Sequence, residues 1–212
     1  MKRFITGFMV LLLWGGGCSR RLSDFFPLIP GAVRVMKVHE QRVIGSDTVR
    51  WEKVMVTEVV RGEKDIPGIG KVWVVEAPLD SIRFTVYYFA KKADTVFKII
   101  PARGGKPERI VYLLQPLVRG KNWYDSDDER ERFEVVAQEA VSVPAGDFQN
   151  CFLVRTTSNR VNFQQNLWLA PGLGVVKREK VQRWSRGDTF CELLRQEELV
   201  EYRVLKAMDR RK

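Results

Sequence analysis

VSVPAGDFQNCFLVRTTSNRVNFQQNLWLAPGLGVVKRE, residues Val141–Glu179, decides the fold. Two turn signals punctuate it, Pro144-Ala145-Gly146-Asp147 and Pro171-Gly172-Leu173-Gly174. Proline presets φ and glycine supplies φ > 0, so each cluster marks a reversal. The runs around them have strand length and carry aromatic and β-branched residues. Pro144 has no N–H to give to a ladder, so its strand should end there. Gly146 should take a positive φ in the turn that follows. The stretch reads as antiparallel strands joined by tight reversals.

Outward from it the same grammar repeats. Val33–Ile44 and Thr48–Arg61 read as strands around a Gly45-Ser46-Asp47 turn. Gly62–Gly70 reads as a loop and Lys71–Ala77 as the next strand. Ile82–Lys91 alternates cleanly, with Ile82, Phe84, Val86 and Tyr88 on one face and Arg83, Thr85 and Tyr87 on the other. Thr95–Ile100 and Arg109–Leu114 follow, then an irregular stretch over Pro116–Asp128. Arg132–Val143, Asn150–Thr157, Phe163–Ala170, Val175–Trp184 and Thr189–Tyr202 complete the set. Leu194, Glu197, Glu198 and Leu199 would also suit a helix, but Thr189-Phe190-Cys191 opens the last run as a strand. About ten strands with hardly a helix signal define an all-β antiparallel class. An open sheet of that size leaves edges to hide, so a strongly curved sheet or a (half-)barrel is expected.

A weak repeat runs through the chain. Pro27-Leu28-Ile29-Pro30-Gly31 and Pro116-Leu117-Val118-Arg119-Gly120 share P-L-x-x-G. Phe89-Ala90 followed by Lys98 mirrors Leu169-Ala170 followed by Lys177. The sheet is therefore expected to be pseudo-duplicated, with half-repeats over about 27–115 and 116–205 of a single β-domain spanning 27–205.

The first residues belong to export rather than to the fold. Lys2 and Arg3 precede the apolar run Phe4–Trp14, which suits a signal peptide and is too short to span a bilayer. Gly15-Gly16-Gly17 then lead into Cys18. This resembles a bacterial lipoprotein signal over 1–17, with Cys18 as the lipidated residue, although Gly15 stands where such signals usually have Leu. Acyl chains on Cys18, palmitate among them, would anchor the chain stably. Residues 18–26 read as a tether and 206–212 as a basic tail. Ser19 after the cysteine, rather than Asp, resembles an outer-membrane sorting signal in diderm cells. The expected location is membrane-anchored, on the periplasmic or cell-surface side.

Charge and cysteine narrow the partners. Lys and Arg number 36 against 26 Asp and Glu, a net charge of +10. Lys2 and Arg3 leave with the signal, so the remainder carries +8. An exported basic surface suits anionic lipid or acidic envelope polymers, and export argues against nucleic acid. Cys151 and Cys191 could form a disulfide only if their strands are neighbours. Two buried free thiols are the favoured alternative.

Three motifs occur in order: P-L-x-x-G-x-x-W at Pro116–Trp123, V-P-A-G-x-F at Val143–Phe148, and A-P-G-x-G-x-V-K at Ala170–Lys177. In this the second half resembles a group of uncharacterised exported bacterial proteins carrying a domain of unknown function, often lipoproteins. In the first half the resemblance reaches only P-L-x-x-G, and Arg34 stands where the other copy has Trp123. The resemblance implies a curved antiparallel β-domain in the envelope and no particular reaction.

No residue pattern points to catalysis. His39 is the single histidine, so His-rich metal sites are excluded. There is no G-x-S-x-G elbow, no P-loop and no cofactor motif. Asp125, Asp127 and Glu129 place alternate carboxylates in a loop, the oxygen chemistry calcium takes. Arg130, however, sits where an EF-hand loop needs glycine, and Arg119, Arg130 and Arg132 can satisfy the acids, so a solvated turn is favoured. Trp51, Trp73, Trp123, Trp168 and Trp184 fit either a filled core or an aromatic-lined cavity, with the filled core favoured. The expected function is non-catalytic: an envelope lipoprotein whose β-domain binds proteins or other envelope components. The alternative is a carrier or sensor of a lipid or other hydrophobic ligand in a barrel cavity.

Overall fold

Alternating runs bounded by turns build one antiparallel sheet in the computed structural model, which describes residues 24–78, 84–101, 106–158 and 160–205. Twelve strands form it: β1 (Ala32–Ile44), β2 (Asp47–Ile66), β3 (Gly70–Pro78), β4 (Phe84–Lys92), β5 (Thr95–Ile100), β6 (Glu108–Leu114), β7 (Asn122–Tyr124), β8 (Glu131–Val143), β9 (Gly146–Ser158), β10 (Asn162–Ala170), β11 (Gly174–Arg186) and β12 (Thr189–Val204). No helix occurs among the described residues. The order is β6-β5-β4-β3-β2-β1-β12-β11-β10-β9-β8-β7, two six-stranded meanders joined where β1 meets β12. The free edges of β6 and β7 come together. The Val111 N–H donates to the Asp125 carbonyl at 2.7 Å, and Arg130 pairs with Glu108. The sheet is thus curled into a nearly closed barrel, which satisfies edges that would otherwise be open to aggregation.

Both P-L-x-x-G segments make the same turn. Ala32 N–H donates to Ile29 O and Lys121 N–H to Val118 O, each at 3.0 Å. Gly31 and Gly120 take φ of 79° and 86°, the left-handed position of a type II turn. Their amides then donate to Val60 in β2 and Val135 in β8, both at 2.8 Å. Leu28 and Leu117 are buried in the two copies. The motif therefore launches each meander by pinning a leucine into the core.

The core has two parts because the strands are apolar on both faces over part of their length. Inside the barrel, Phe152 and Val154 of β9 meet Leu167 and Leu169 of β10, Val135 of β8 and Val96 of β5. Outside, Cys151, Leu153, Trp168, Val176 and Leu199 form a second cluster. The β8–β9 hairpin covers that outer patch. Its register shifts between Val135 and Ala137 and between Glu139 and Val141, and its tip brings the Ala145 N–H to the Leu199 carbonyl at 3.0 Å. Such bulges bend a strand and increase its local twist. Pro144 ends β8 as its missing N–H dictates, and Gly146 has φ 132°.

Phe25 and Phe26 correct the sequence boundary. Read as the end of a tether, they lie in the barrel core. Phe25 meets Phe152 edge-on at 5.1 Å, and Phe26 meets Phe89 at 4.9 Å and Tyr112 at 5.4 Å. Burying a phenylalanine contributes about 1.5–3 kcal/mol, so this lead-in is part of the fold. The Asp24 carbonyl accepts from Gly172 at 2.8 Å, which ties it to the turn after β10. Cys18, the signal segment and the basic tail lie outside the described residues.

Candidate functional site in the barrel lumen

Along strand after strand, the inward face changes character with depth. In β10 it runs Leu169, Leu167, Gln165, Phe163; in β9 Phe152, Val154, Thr156; in β8 Val135, Phe133, Glu131. In β5 Val96 gives way to Lys98, and in β11 Val175 gives way to Arg178, Lys180 and Gln182. The lead-in and the apolar half close one end. Toward the β11–β12 turn the interior is hollow, a lumen of about 570 Å³. Every strand except β7 contributes to its wall. Its charged residues are Arg34, Lys98, Arg178, Lys180 and Arg195 against Glu58, Glu131 and Glu197.

Cross-strand register creates most of the pairing. Arg34 of β1 lies opposite Glu58 of β2, with Nε 3.3 Å from Oε2. Arg178 of β11 lies opposite Glu197 of β12, with Nη1 2.6 Å from Oε2. Arg195 reaches along its own strand to Glu197 at 2.7 Å and across to Glu40 of β1 at 3.3 Å. Glu197 is only 5 % exposed and holds two guanidinium groups at once. Burial alone would raise its carboxyl, but Arg178 and Arg195 overcome this and hold it below the usual range. Burial likewise works against the Arg178 cation, and Glu197, Tyr112 and Glu58 more than offset it.

The next tier is different. Lys180 lies directly opposite Arg195, and like charges in that position repel. The same cross-strand row continues through Gln165 to Thr156. Thr156 is 1 % exposed, and its hydroxyl has no hydrogen-bond partner. Lys98 faces this row from β5. Burial, with repulsion from Arg178 and Lys180, pushes its ammonium below its ordinary pKa, and Glu131 acts in the opposite direction. Lys98 sits over the Tyr87 ring at 5.2 Å and Lys180 over the Phe163 ring at 5.4 Å. Chemically the wall offers ammonium and guanidinium groups, a hydroxyl and aromatic rings around the cavity.

The residues singled out from sequence lie elsewhere. Cys151 in β9 and Cys191 in β12 are free and buried, with β10 and β11 between them. They also stand at opposite ends of the sheet, Cys151 beyond the Phe152–Leu169 pair and Cys191 opposite Trp184, past the Asn162–Arg183 pair. A disulfide needs Cα atoms within about 7 Å, so this pair is not brought together. Burial, then Glu139, pushes the Cys151 thiol up to about 11, which leaves it protonated at neutral pH. Asp125, Asp127 and Glu129 do not converge either. Asp125 is buried, accepts from Ser126 Oγ and the Glu131 N–H at 3.1 Å, and lies 3.5 Å from Arg130. Asp127 and Glu129 are exposed. Among the described residues no group of three acids, histidines or cysteines is placed to hold a metal ion. The calcium reading is therefore replaced by a structural one, in which Asp125 braces the β6–β7 closure. His39 lies half-buried in β1, away from the lumen wall.

The lumen residues escaped the sequence reading, yet a signal for them existed. Lys98, Gln165, Glu131, Arg178 and Lys180 share their strand face with core residues two to five positions away. Charge on the face that is apolar one turn of the pleat earlier is the mark of a strand passing from core to cavity.

The fold is similar to two solved structures. One is from Bacteroides fragilis NCTC 9343, provisionally described as an exported protein with a YmcC-like fold: TM-score 0.46, 15% identity, over 85% of this chain and 99% of that one. The other is from Parabacteroides distasonis ATCC 8503, provisionally described as a lipoprotein: TM-score 0.44, 16% identity, with the same coverage of 85% and 99%. No protein-family model and no curated protein matches the chain.

Proposed function

We propose that this chain is an exported, membrane-anchored binding protein that takes a small ligand into the lumen and performs no chemistry on it. The carrying observation is the lumen, about 570 Å³, walled by residues from every strand but β7. A volume in that range suits a small molecule. Its tiers of charge are not those of a pocket for an acyl tail, so the ligand is polar at one end at least. The anchoring part of the reading rests on Cys18 and the apolar segment before it.

Native mass spectrometry tests the ligand. The full chain, purified mildly in a non-ionic detergent, is expected to carry a non-covalent adduct that disappears on denaturation. A bare mass overturns lumen binding. The anchor is tested separately. Cys18→Ser is expected to abolish incorporation of labelled palmitate and to move the protein from the membrane to the soluble fraction. Unchanged membrane association would sink the lipoprotein reading.

A surface reading draws support from one place. Ile44, Trp184 and Phe190 are exposed at the tips of the β1–β2 and β11–β12 hairpins, which the Gly45 N–H joins to the Phe190 carbonyl at 2.8 Å. Such a patch fits contact with another envelope component. The sheet edges do not serve this purpose, because β6 and β7 are used in closing the barrel.

A further inference from the structure

Resting on the reading of the lumen as a ligand site, the inference concerns what the ligand carries. Three features of the wall converge. Lys180 and Arg195 stand directly opposite each other by register, two like charges in one cross-strand pair. Arg195 divides its guanidinium between Glu197 and Glu40, whereas among the described residues no carboxylate lies within ion-pair distance of Lys180 or Lys98, and Glu131 acts on Lys98 only from farther off. Thr156, in the same cross-strand row, buries a hydroxyl with no partner. A buried polar atom left unpaired is costly, and so is an ammonium that faces other cations with no carboxylate beside it. One kind of group relieves all three: an anion with several acceptor oxygens. It would accept from both ammonium groups and the hydroxyl and neutralise the repulsion. Charge-assisted bonds of this type are the strong ones. Among the described lining residues, five cations stand against three carboxylates, which favours the same sign of ligand.

We infer that the lumen binds the oxyanion of a small molecule, phosphate or carboxylate, held between Lys98 of β5 and the Lys180–Arg195 pair of β11 and β12, with the Thr156 hydroxyl as a further donor. Tyr87 and Phe163 lie beneath the two ammonium groups and help to hold them at the wall.

The test is isothermal titration of the full chain in a non-ionic polyoxyethylene detergent. Sodium pyrophosphate serves as the phosphate probe, trigalacturonic acid as the carboxylate probe and maltotriose as the neutral control. Saturable binding of one acidic probe, weakened by salt, is expected, and which probe binds tells phosphate from carboxylate. Lys98→Met with Lys180→Met should weaken it by about tenfold or more, since each charged bond is worth at least that factor. Lys98→Arg with Lys180→Arg should retain most of it, and Lys177→Met, over the Trp168 ring outside the barrel, should leave it unchanged. The methionine variant should also melt higher than wild type, because it removes two mutually repelling ammonium groups, and this confirms that it is folded. No saturable binding of either acid, equal binding of maltotriose, or an unaffected methionine variant each overturns the oxyanion site. A neutral adduct in the native mass spectrum without acid binding removes the oxyanion and leaves lumen binding standing; a bare mass without acid binding removes both.

Discussion

Glu197→Gln lowers the stability of the folded chain by about 3 kcal/mol, the lower end of the loss when one partner of a buried ion pair is removed. The reason is geometric. Glu197 is the one carboxylate that Arg178 and Arg195 share, at 2.6 and 2.7 Å. An amide in its place keeps the shape and leaves two guanidinium groups facing each other. Arg195 retains Glu40, so the larger share of the loss falls on Arg178. The lower end applies because both guanidinium-bearing side chains remain partly exposed, at 23% and 32%. The urea midpoint should fall at an unchanged slope. Arg178→Met combined with Glu197→Leu should recover most of the loss, since an apolar pair of similar volume replaces a buried ion pair at little cost. A loss under about 1 kcal/mol, the worth of a surface pair, would show that the lumen solvates these charges fully. The pH dependence follows from the same contacts. The Glu197 carboxyl lies below its unfolded value, so its stabilisation is fully present above that value and is lost as pH falls through the folded one. Glu131 runs the other way. Burial, then Asp125, raises it, so its stabilisation is present at low pH and is lost as pH rises through its folded value. Melting curves taken downward from neutral pH should therefore decline more gently for Glu197→Gln than for wild type.

Gly31→Ala is the second large effect, and Gly120→Ala is its internal control. The two glycines occupy equivalent places in the repeated P-L-x-x-G turn, with φ of 79° and 86°. A methyl group at either pays the left-handed penalty, about 1–2 kcal/mol. At Gly120 that is all, because nothing lies within 4 Å of the added carbon. At Gly31 the carbon would stand 2.5 Å from the Leu205 carbonyl oxygen, a backbone atom that would have to shift. Moving it strains the 2.9 Å bond from the Leu205 N–H to the Gly31 carbonyl, worth about 0.5–1.5 kcal/mol. Gly31→Ala should thus cost about 3 kcal/mol or more, and Gly120→Ala about half of that. Equal losses in thermal melts would mean that the β1 and β12 ends separate without cost.

The strands and their turns were legible because their physics is local. Alternation over β4 and β8, and the Pro and Gly clusters after β8 and β10, need no knowledge of distant partners. The differences have local causes too. β7 is three residues, too short for any period to show, so twelve strands stand where about ten were read. Gly62 looked like the start of a loop, but it is a bulge at φ 118°, and β2 passes through it to Ile66. Phe25 and Phe26 looked like tether because nothing nearby pairs with them; their partners Phe152, Phe89 and Tyr112 are far along the chain. The lumen was illegible for a related reason. Period two separates two faces without saying which is inside. Nothing local therefore marked Arg34, Lys98, Arg178 and Glu197 as parts of one site, and only closure of the barrel brings them onto one inward wall.

The meeting of β1 with β12 also fixes the order of events in folding. Every other strand pair joins neighbours in sequence, so each meander can zip up hairpin by hairpin as local chain becomes available. The β1–β12 seam pairs Ala32 with Val204 and must close the longest loop in the molecule. Loop closure of that span carries an entropy cost that local hairpins avoid, so the seam is the slow step. A chain delivered from its N-terminus would hold β1 unpaired on one side until β12 arrives. Until then the charged tier built from β1, β2, β11 and β12 is incomplete, so a partly synthesised barrel lacks the wall on which the proposed binding depends.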